Sequence, residues 1–174
     1  MLDGEVSGGE LGTAARVGTN YIVSERTSTY LNYTVDSERT EMGEHGRRGN
    51  LVSGLRTRFS DSTSVYVEER YEHSRSVTGL THATGVSLAP FERWNFAANS
   101  DIGTLRDRET GAETKRRAGG LNVGYGFETV QLTSGVEYRY DDSQQVDGTW
   151  ADRTTWLFKN SFKYQTTPDW RLVG

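Results

Sequence analysis

Three histidines, His45, His73 and His82, are the imidazoles available in this 174-residue chain, and imidazole is the side chain best matched to moving a proton near neutral pH. With a serine or an aspartate beside it, each is a candidate for a hydrolytic site at a strand end. The surrounding sequence offers no frame for one, because it contains neither a Gly-x-Ser-x-Gly elbow nor a His-Glu-x-x-His pair. His45 stands in a loop rich in Gly, Glu and Arg and His73 at a strand end, where solvated side chains are the ordinary reading. His82 falls on an apolar register, which suits an interfacial ring better than a base. Carboxylates cluster in 36–44 and 141–152, and such oxygens bind divalent cations, but the ligand order of a calcium loop is missing and solvated charge accounts for them. Arg116 and Arg117, at the outer end of a strand, are placed to meet lipid phosphates. No catalytic residue, no metal ligand and no cofactor site emerges, and the chain reads as a non-enzyme.

The elements that must carry these residues show a spacing of two. From Arg117 to Phe127, the residues Gly119, Leu121, Val123, Tyr125 and Phe127 share one face, and Ala118, Gly120, Asn122, Gly124 and Gly126 share the other. From Val130, the residues Leu132, Ser134, Val136, Tyr138 and Tyr140 point one way and Gln131, Thr133, Gly135, Glu137 and Arg139 the other. The same alternation returns from Val17 to Val23, Leu31 to Val35, Leu51 to Phe59, Val65 to Tyr71, Leu80 to Leu88, Trp94 to Ile102 and Trp156 to Tyr164, with a stub at Trp170-Leu172. Nine strands and a stub result, each of about 9 to 13 residues, longer than the ~5–6 usual in soluble sheets and matched to the ~9–11 of a tilted membrane strand.

Their connections alternate in length. Short turns are expected at Glu25-Arg26-Thr27, Ser60-Asp61-Ser62, Ala89-Pro90-Phe91, Glu128-Thr129 and Thr166-Thr167-Pro168-Asp169, and long polar loops at 36–49, 73–79, 106–114 and 141–153. Both prolines fall in short turns. This succession resembles the bacterial outer-membrane β-barrel superfamily, porin-like, from about Ala15 onward. The resemblance is to a pattern and not to a motif. It implies an all-β fold, an antiparallel up-and-down transmembrane β-barrel of about 9–10 strands, with short periplasmic turns and long extracellular loops. The whole of 1–174 is then one barrel domain or barrel segment, with 1–14 a loop or leader and 15–174 the meander. Because the first strand enters a short turn at Glu25 and the last stops soon after Trp170, the segment reading expects further strands of a larger barrel at both ends, and a re-ended ten-strand barrel is the alternative.

The two faces then take different solvents. The oily set faces lipid, with Trp94, Trp156 and Trp170 as membrane-girdle aromatics. The lumen-lining set is Arg56, Arg58, Glu68, Arg70, Glu72, Asp101, Glu137, Arg139, Lys159 and Lys163, among which Arg and Glu are expected to pair across strands. Glu69 and Asn160 interrupt the lipid register, and a β-bulge at Glu68-Glu69 is the expected means of turning Glu69 inward.

Composition narrows the alternatives. Only 33% of the chain is hydrophobic, yet it carries 6 Phe, 4 Trp and 9 Tyr, an aromatic content that disordered chains lack. No apolar run reaches the ~18 residues of a membrane helix, the first residues have no signal-peptide pattern, and no cysteine is present. A net charge of −4 with dispersed arginines speaks against nucleic acid. The function expected is a non-enzymatic pore or plugged barrel for small polar solutes or ions in the bacterial outer membrane, with outer-membrane lipid or lipopolysaccharide as partner. A soluble all-β binding or adhesin domain is the alternative, and an outer-rim hydrolase using His73 or His82 the third.

Overall fold

In a computed structural model the chain forms one sheet of eleven strands in sequential order, each antiparallel to the next. They are β1 (Leu2–Gly9), β2 (Gly12–Ser24), β3 (Thr27–Arg39), β4 (His45–Ser60), β5 (Thr63–Ser74), β6 (Val77–Phe91), β7 (Trp94–Asp107), β8 (Glu113–Phe127), β9 (Val130–Gln144), β10 (Trp150–Gln165) and β11 (Arg171–Val173). The structure describes residues 2–9, 12–39, 45–145, 147–165 and 170–174. The expected all-β meander is present, but the sheet is not closed: β1 and β11 are its two edges. Both run in the same direction, so joining them directly would make a parallel seam.

Three expectations change. Residues Leu2–Gly9, placed in a loop or leader, pair with β2 from Leu2↔Thr19 to Gly9↔Gly12. The long loops are largely strand: the β5–β6 connection is 75–76 and the β7–β8 connection 108–112. Strand ends there carry charge on both faces, which erases the period-two signal while the backbone ladder continues. Pro90 lies inside β6 and not in a turn, at a register shift between Leu88 and Phe91 where the ladder needs no donor from it. The turn expected at 166–169, with Pro168, lies outside the described residues.

The strands β2 to β10 are 12 to 16 residues long, more than a membrane crossing of ~9–11 requires. Their pairing is staggered. One row of opposed residues starts at Thr27, beside the β2–β3 turn, passes through Thr57, Val65 and Leu121, and reaches Phe158 on β10 about seven residues short of Gln165. Turns therefore step by roughly one residue per strand. At ~3.3 Å per residue and ~4.8 Å between strands this is a tilt of about 35°, the inclination of a barrel wall.

Among the described residues no second layer covers the sheet. Ala83 is the one buried hydrophobic residue among those described, and no large side chain is fully buried. The remaining buried residues are all glycines. Large apolar side chains stand exposed along the oily face, with Leu121 at 60%, Phe158 at 69% and Trp156 at 59%. A globular domain hides such residues in a core; here there is none for them to enter.

Candidate functional site

Directly opposed residues of an antiparallel sheet share a face, so the register assigns every side chain to one side. All ten residues expected to line a lumen fall on the polar face. The tightest group is built where β3, β5 and β7 carry Tyr30, Glu68, Arg70 and Asp101 at adjacent registers. Arg70 Nε donates to Glu68 at 2.7 Å, its Nη1 lies 3.7 Å from Asp101, and the Tyr30 hydroxyl donates to the Glu68 carboxylate. Glu68 is more enclosed than Arg70 or Asp101, its side chain 14% exposed. A second group joins Glu137 to Arg139 at 3.3 Å and to Lys159 at 3.7 Å, and Glu72 holds Arg48 at 2.8 Å. Pairing thus runs along a strand, two residues apart, in Glu68–Arg70 and Glu137–Arg139, and across strands in Arg48–Glu72, Arg70–Asp101 and Glu137–Lys159. Arg56 lines a recess of about 330 Å³ with Tyr30, Glu68, Asn32, Arg16 and Asp3. Arg58 and Lys163 share the face nearer the short turns.

Sequence reasoning passed over Tyr30 and Tyr66, which stand on the polar face. Each lies across the strand gap over a glycine, Tyr30 over Gly54 and Tyr66 over Gly85, in the space a Cβ would occupy. Asn99 covers Gly120 and Asn95 covers Gly124 in the same way. The signal exists in the sequence, but reading it requires knowing which glycine each residue opposes.

Glu69 and Asn160, the two residues expected to interrupt the oily face, both stay on it, and neither is removed by a bulge. The β5–β6 register is continuous through Glu69↔His82, and Glu69 stays on the oily side, its carboxylate 2.6 Å from His82 Nδ1. The bulge-like shifts occur elsewhere, between Ile22 and Ser24, Arg58 and Ser60, and Leu88 and Phe91, all beside short turns. Asn160 is met by Ser134, whose hydroxyl donates to it at 2.8 Å. Around them the aromatics gather in small groups: Trp94 with Tyr125 at 4.9 Å and Phe96 at 6.0 Å, and Trp156 with Tyr138 at 4.8 Å. Trp170 is 75% exposed.

The remaining candidates have structural partners. His73 packs between Tyr33 and Tyr71, and His45 opens β4 with its side chain outside the described part. Arg116 points to the polar face, where its Nε donates to Asp141 at 2.8 Å, so of the expected lipid-facing pair Arg117 alone lies on the oily side. At the end of β7 Asp107 accepts from the Glu109 and Thr110 amides at 2.9 and 2.8 Å. In the β9–β10 connection Asp147 accepts from the Thr149 hydroxyl at 2.6 Å and amide at 2.9 Å, and these bonds hold its carboxyl below the usual carboxylate range.

No family model and no curated protein matches the chain. Among solved structures it is similar to the FrpB iron transporter from Neisseria meningitidis (F5-1 variant, apoprotein form), with a TM-score of 0.59 and 11% identity over 99% of this chain and 35% of that one. The chain thus spans about a third of that protein's length. At this identity the likeness is one of fold: an up-and-down antiparallel β-barrel wall.

Proposed function

We propose that the chain forms wall of an outer-membrane β-barrel, its oily face on lipid and its charged face on an aqueous lumen that admits or blocks small polar solutes and ions by size and charge. The observation that carries this is the single layer: a sheet that exposes Leu121, Trp156 and Phe158 on one side and pairs Glu68, Arg70 and Asp101 on the other matches a wall between hydrocarbon and water. The tilt of about 35° and the surplus strand length at the loop end, where Glu113, Lys115 and Arg117 occupy the oily register, support the same reading. The loop end is then the extracellular one. Lipid supplies no hydrogen bonds, so edges β1 and β11 pair with further strands, and an odd number of them completes an all-antiparallel ring.

In vesicles of phosphatidylcholine brominated along the acyl chains, the tryptophan emission is expected to be strongly quenched, with Trp156 and Trp94 as the main quenched residues. Unquenched emission from a folded chain rules out the lipid-facing assignment. Single-channel recording in a planar bilayer then separates an open lumen from one plugged by its own ion pairs.

A further inference from the structure

The polar face is dense in charge except in one region. On β5 to β9, the spans 64–66, 85–87, 95–99, 120–126 and 131–135 contain no Asp, Glu, Lys or Arg, and the register sets them side by side in the short-turn half of the sheet. Charge of both signs borders this patch: Glu68 and Asp101 toward the loop end, Arg58 on β4, Lys159 on β10, and Asp61 and Glu92 in the turns below. Within the patch, side chains lie across the sheet. Tyr66 covers Gly85, and the carboxamides of Asn99, Asn95 and Asn122 cover Gly120, Gly124 and Gly135, each in the space a Cβ would take. Gly85, Gly120 and Gly124 are buried, Tyr66 is partly exposed, and Asn95 and Asn122 are exposed. No hydrogen bond to a described residue occupies the three carboxamides, whereas the Ser64 and Ser87 hydroxyls bond each other at 2.7 Å. Four inter-strand steps of ~4.8 Å make the patch about 19 Å wide.

We infer that this patch binds a neutral oligosaccharide on the lumen side of the wall. The inference rests on the lumen reading of the polar face and names a solute class for it. A carboxamide offers two donors and an acceptor, the combination that sugar hydroxyls, themselves donors and acceptors, call for. The negative π face of Tyr66 attracts the polarised C–H groups of a pyranose ring. An ionic solute finds no counter-charge within the patch, so whatever hydration it gives up there goes uncompensated, and the border, being of both signs, favours neither anions nor cations.

The test uses the 174-residue chain, isotope-labelled at asparagine and folded in polyoxyethylene-ether micelles, which carry no sugar headgroup, with circular dichroism reporting β structure. Maltotetraose is the neutral probe and tetragalacturonate, with a carboxylate on each ring, the charged one. Maltotetraose is expected to move the side-chain amide resonances of Asn95, Asn99 and Asn122 and to leave that of Asn160, on the oily face, in place. It is expected to bind at least about fivefold tighter than tetragalacturonate. N95A/N122A, which alters two exposed positions, is expected to lose about tenfold in maltotetraose binding with β structure intact. Y66L keeps a side chain over Gly85 and is expected to lose the upfield shift that a ring face gives to sugar C–H protons. Unmoved asparagine resonances, equal or tighter binding of tetragalacturonate, or unchanged binding by both variants overturns the saccharide surface. Where the tryptophan emission of the same chain is quenched by brominated lipid, such a result removes the surface alone and leaves the wall assignment standing. Unquenched emission from a folded chain removes the two together.

Discussion

Glu69 and His82 oppose each other in the β5–β6 ladder on a face otherwise given to Val67, Tyr71 and Leu80, and the 2.6 Å contact between them lets each serve as the other's polar surroundings. In the proposed membrane setting, a carboxylate on the lipid side with its partner removed has neither water nor a donor to replace it. His82→Leu is therefore expected to destabilise the folded chain by about 1–2 kcal/mol in urea titrations performed in lipid vesicles. Replacing both residues, E69V/H82L, is expected to recover most of that loss, since apolar groups of similar size need no partner. A double variant as unstable as the single one would show that the pair contributes by packing and not by neutralising charge. The same reasoning explains why an expected bulge is absent: a cross-strand partner satisfies Glu69 without bending the strand. That partner is thirteen residues away in the chain and opposite only once the register is known, so period-two reading located the problem but not its solution.

At the scale of the element, the strands that were legible are those whose two faces differ sharply in polarity. In β8, Leu121 and Val123 alternate with Gly120, Asn122 and Gly124, and the alternation survives into the structure as opposed faces. In β1 the positions on the oily register are Leu2, Gly4, Val6 and Gly8, and glycine carries no hydropathy to mark a side, so the strand was hidden. Beyond the oily band, as at Glu113 to Arg117, both faces carry polar or charged residues and the pattern vanishes although pairing persists. Connections are written in another code. The β9–β10 turn closes with the Gln145 amide on the Thr149 carbonyl at 2.7 Å and requires Gly148 at φ +83°, in the left-handed region. A Cβ there meets no atom within 4 Å, so Gly148→Ala is expected to cost about 1–2 kcal/mol through backbone conformation alone, read by chemical denaturation. Asp147 adds a pH dependence of definite sign. Its carboxyl is held below its ordinary value of about 3.8 by the Thr149 hydroxyl and amide, so the contribution of the ionised form is complete at neutral pH and is lost as pH falls through the lowered value. The Thr149 amide resonance is expected to titrate with a midpoint under 3.8, and D147N to abolish that titration.

For the whole molecule, the decisive property is the identity of the solvent on each face, and neighbouring residues of one strand can report both. Leu121 and Asn122 follow each other in β8, opposite Val136 and Gly135 on β9, and point to opposite sides. Both are exposed in the isolated sheet, so exposure to water alone would make arginine tolerable at either position. If hydrocarbon covers the side holding Leu121, Leu121→Arg places a guanidinium about seven residues from the β8–β9 turn, near the middle of the oily band, at a cost of about 2–4 kcal/mol. Asn122→Arg enters a face already carrying Arg58 and Lys159 at the same register, and costs well under about 1 kcal/mol because its charge remains hydrated. The difference is expected to shrink when the same pair is placed toward the loop end, at Lys115 and Arg116, where the chain itself puts cations on both faces. Unfolding in lipid vesicles measures each value. Equal costs at 121 and 122 would mean that both sides see the same medium, and the division of this sheet between oil and water would have to be abandoned.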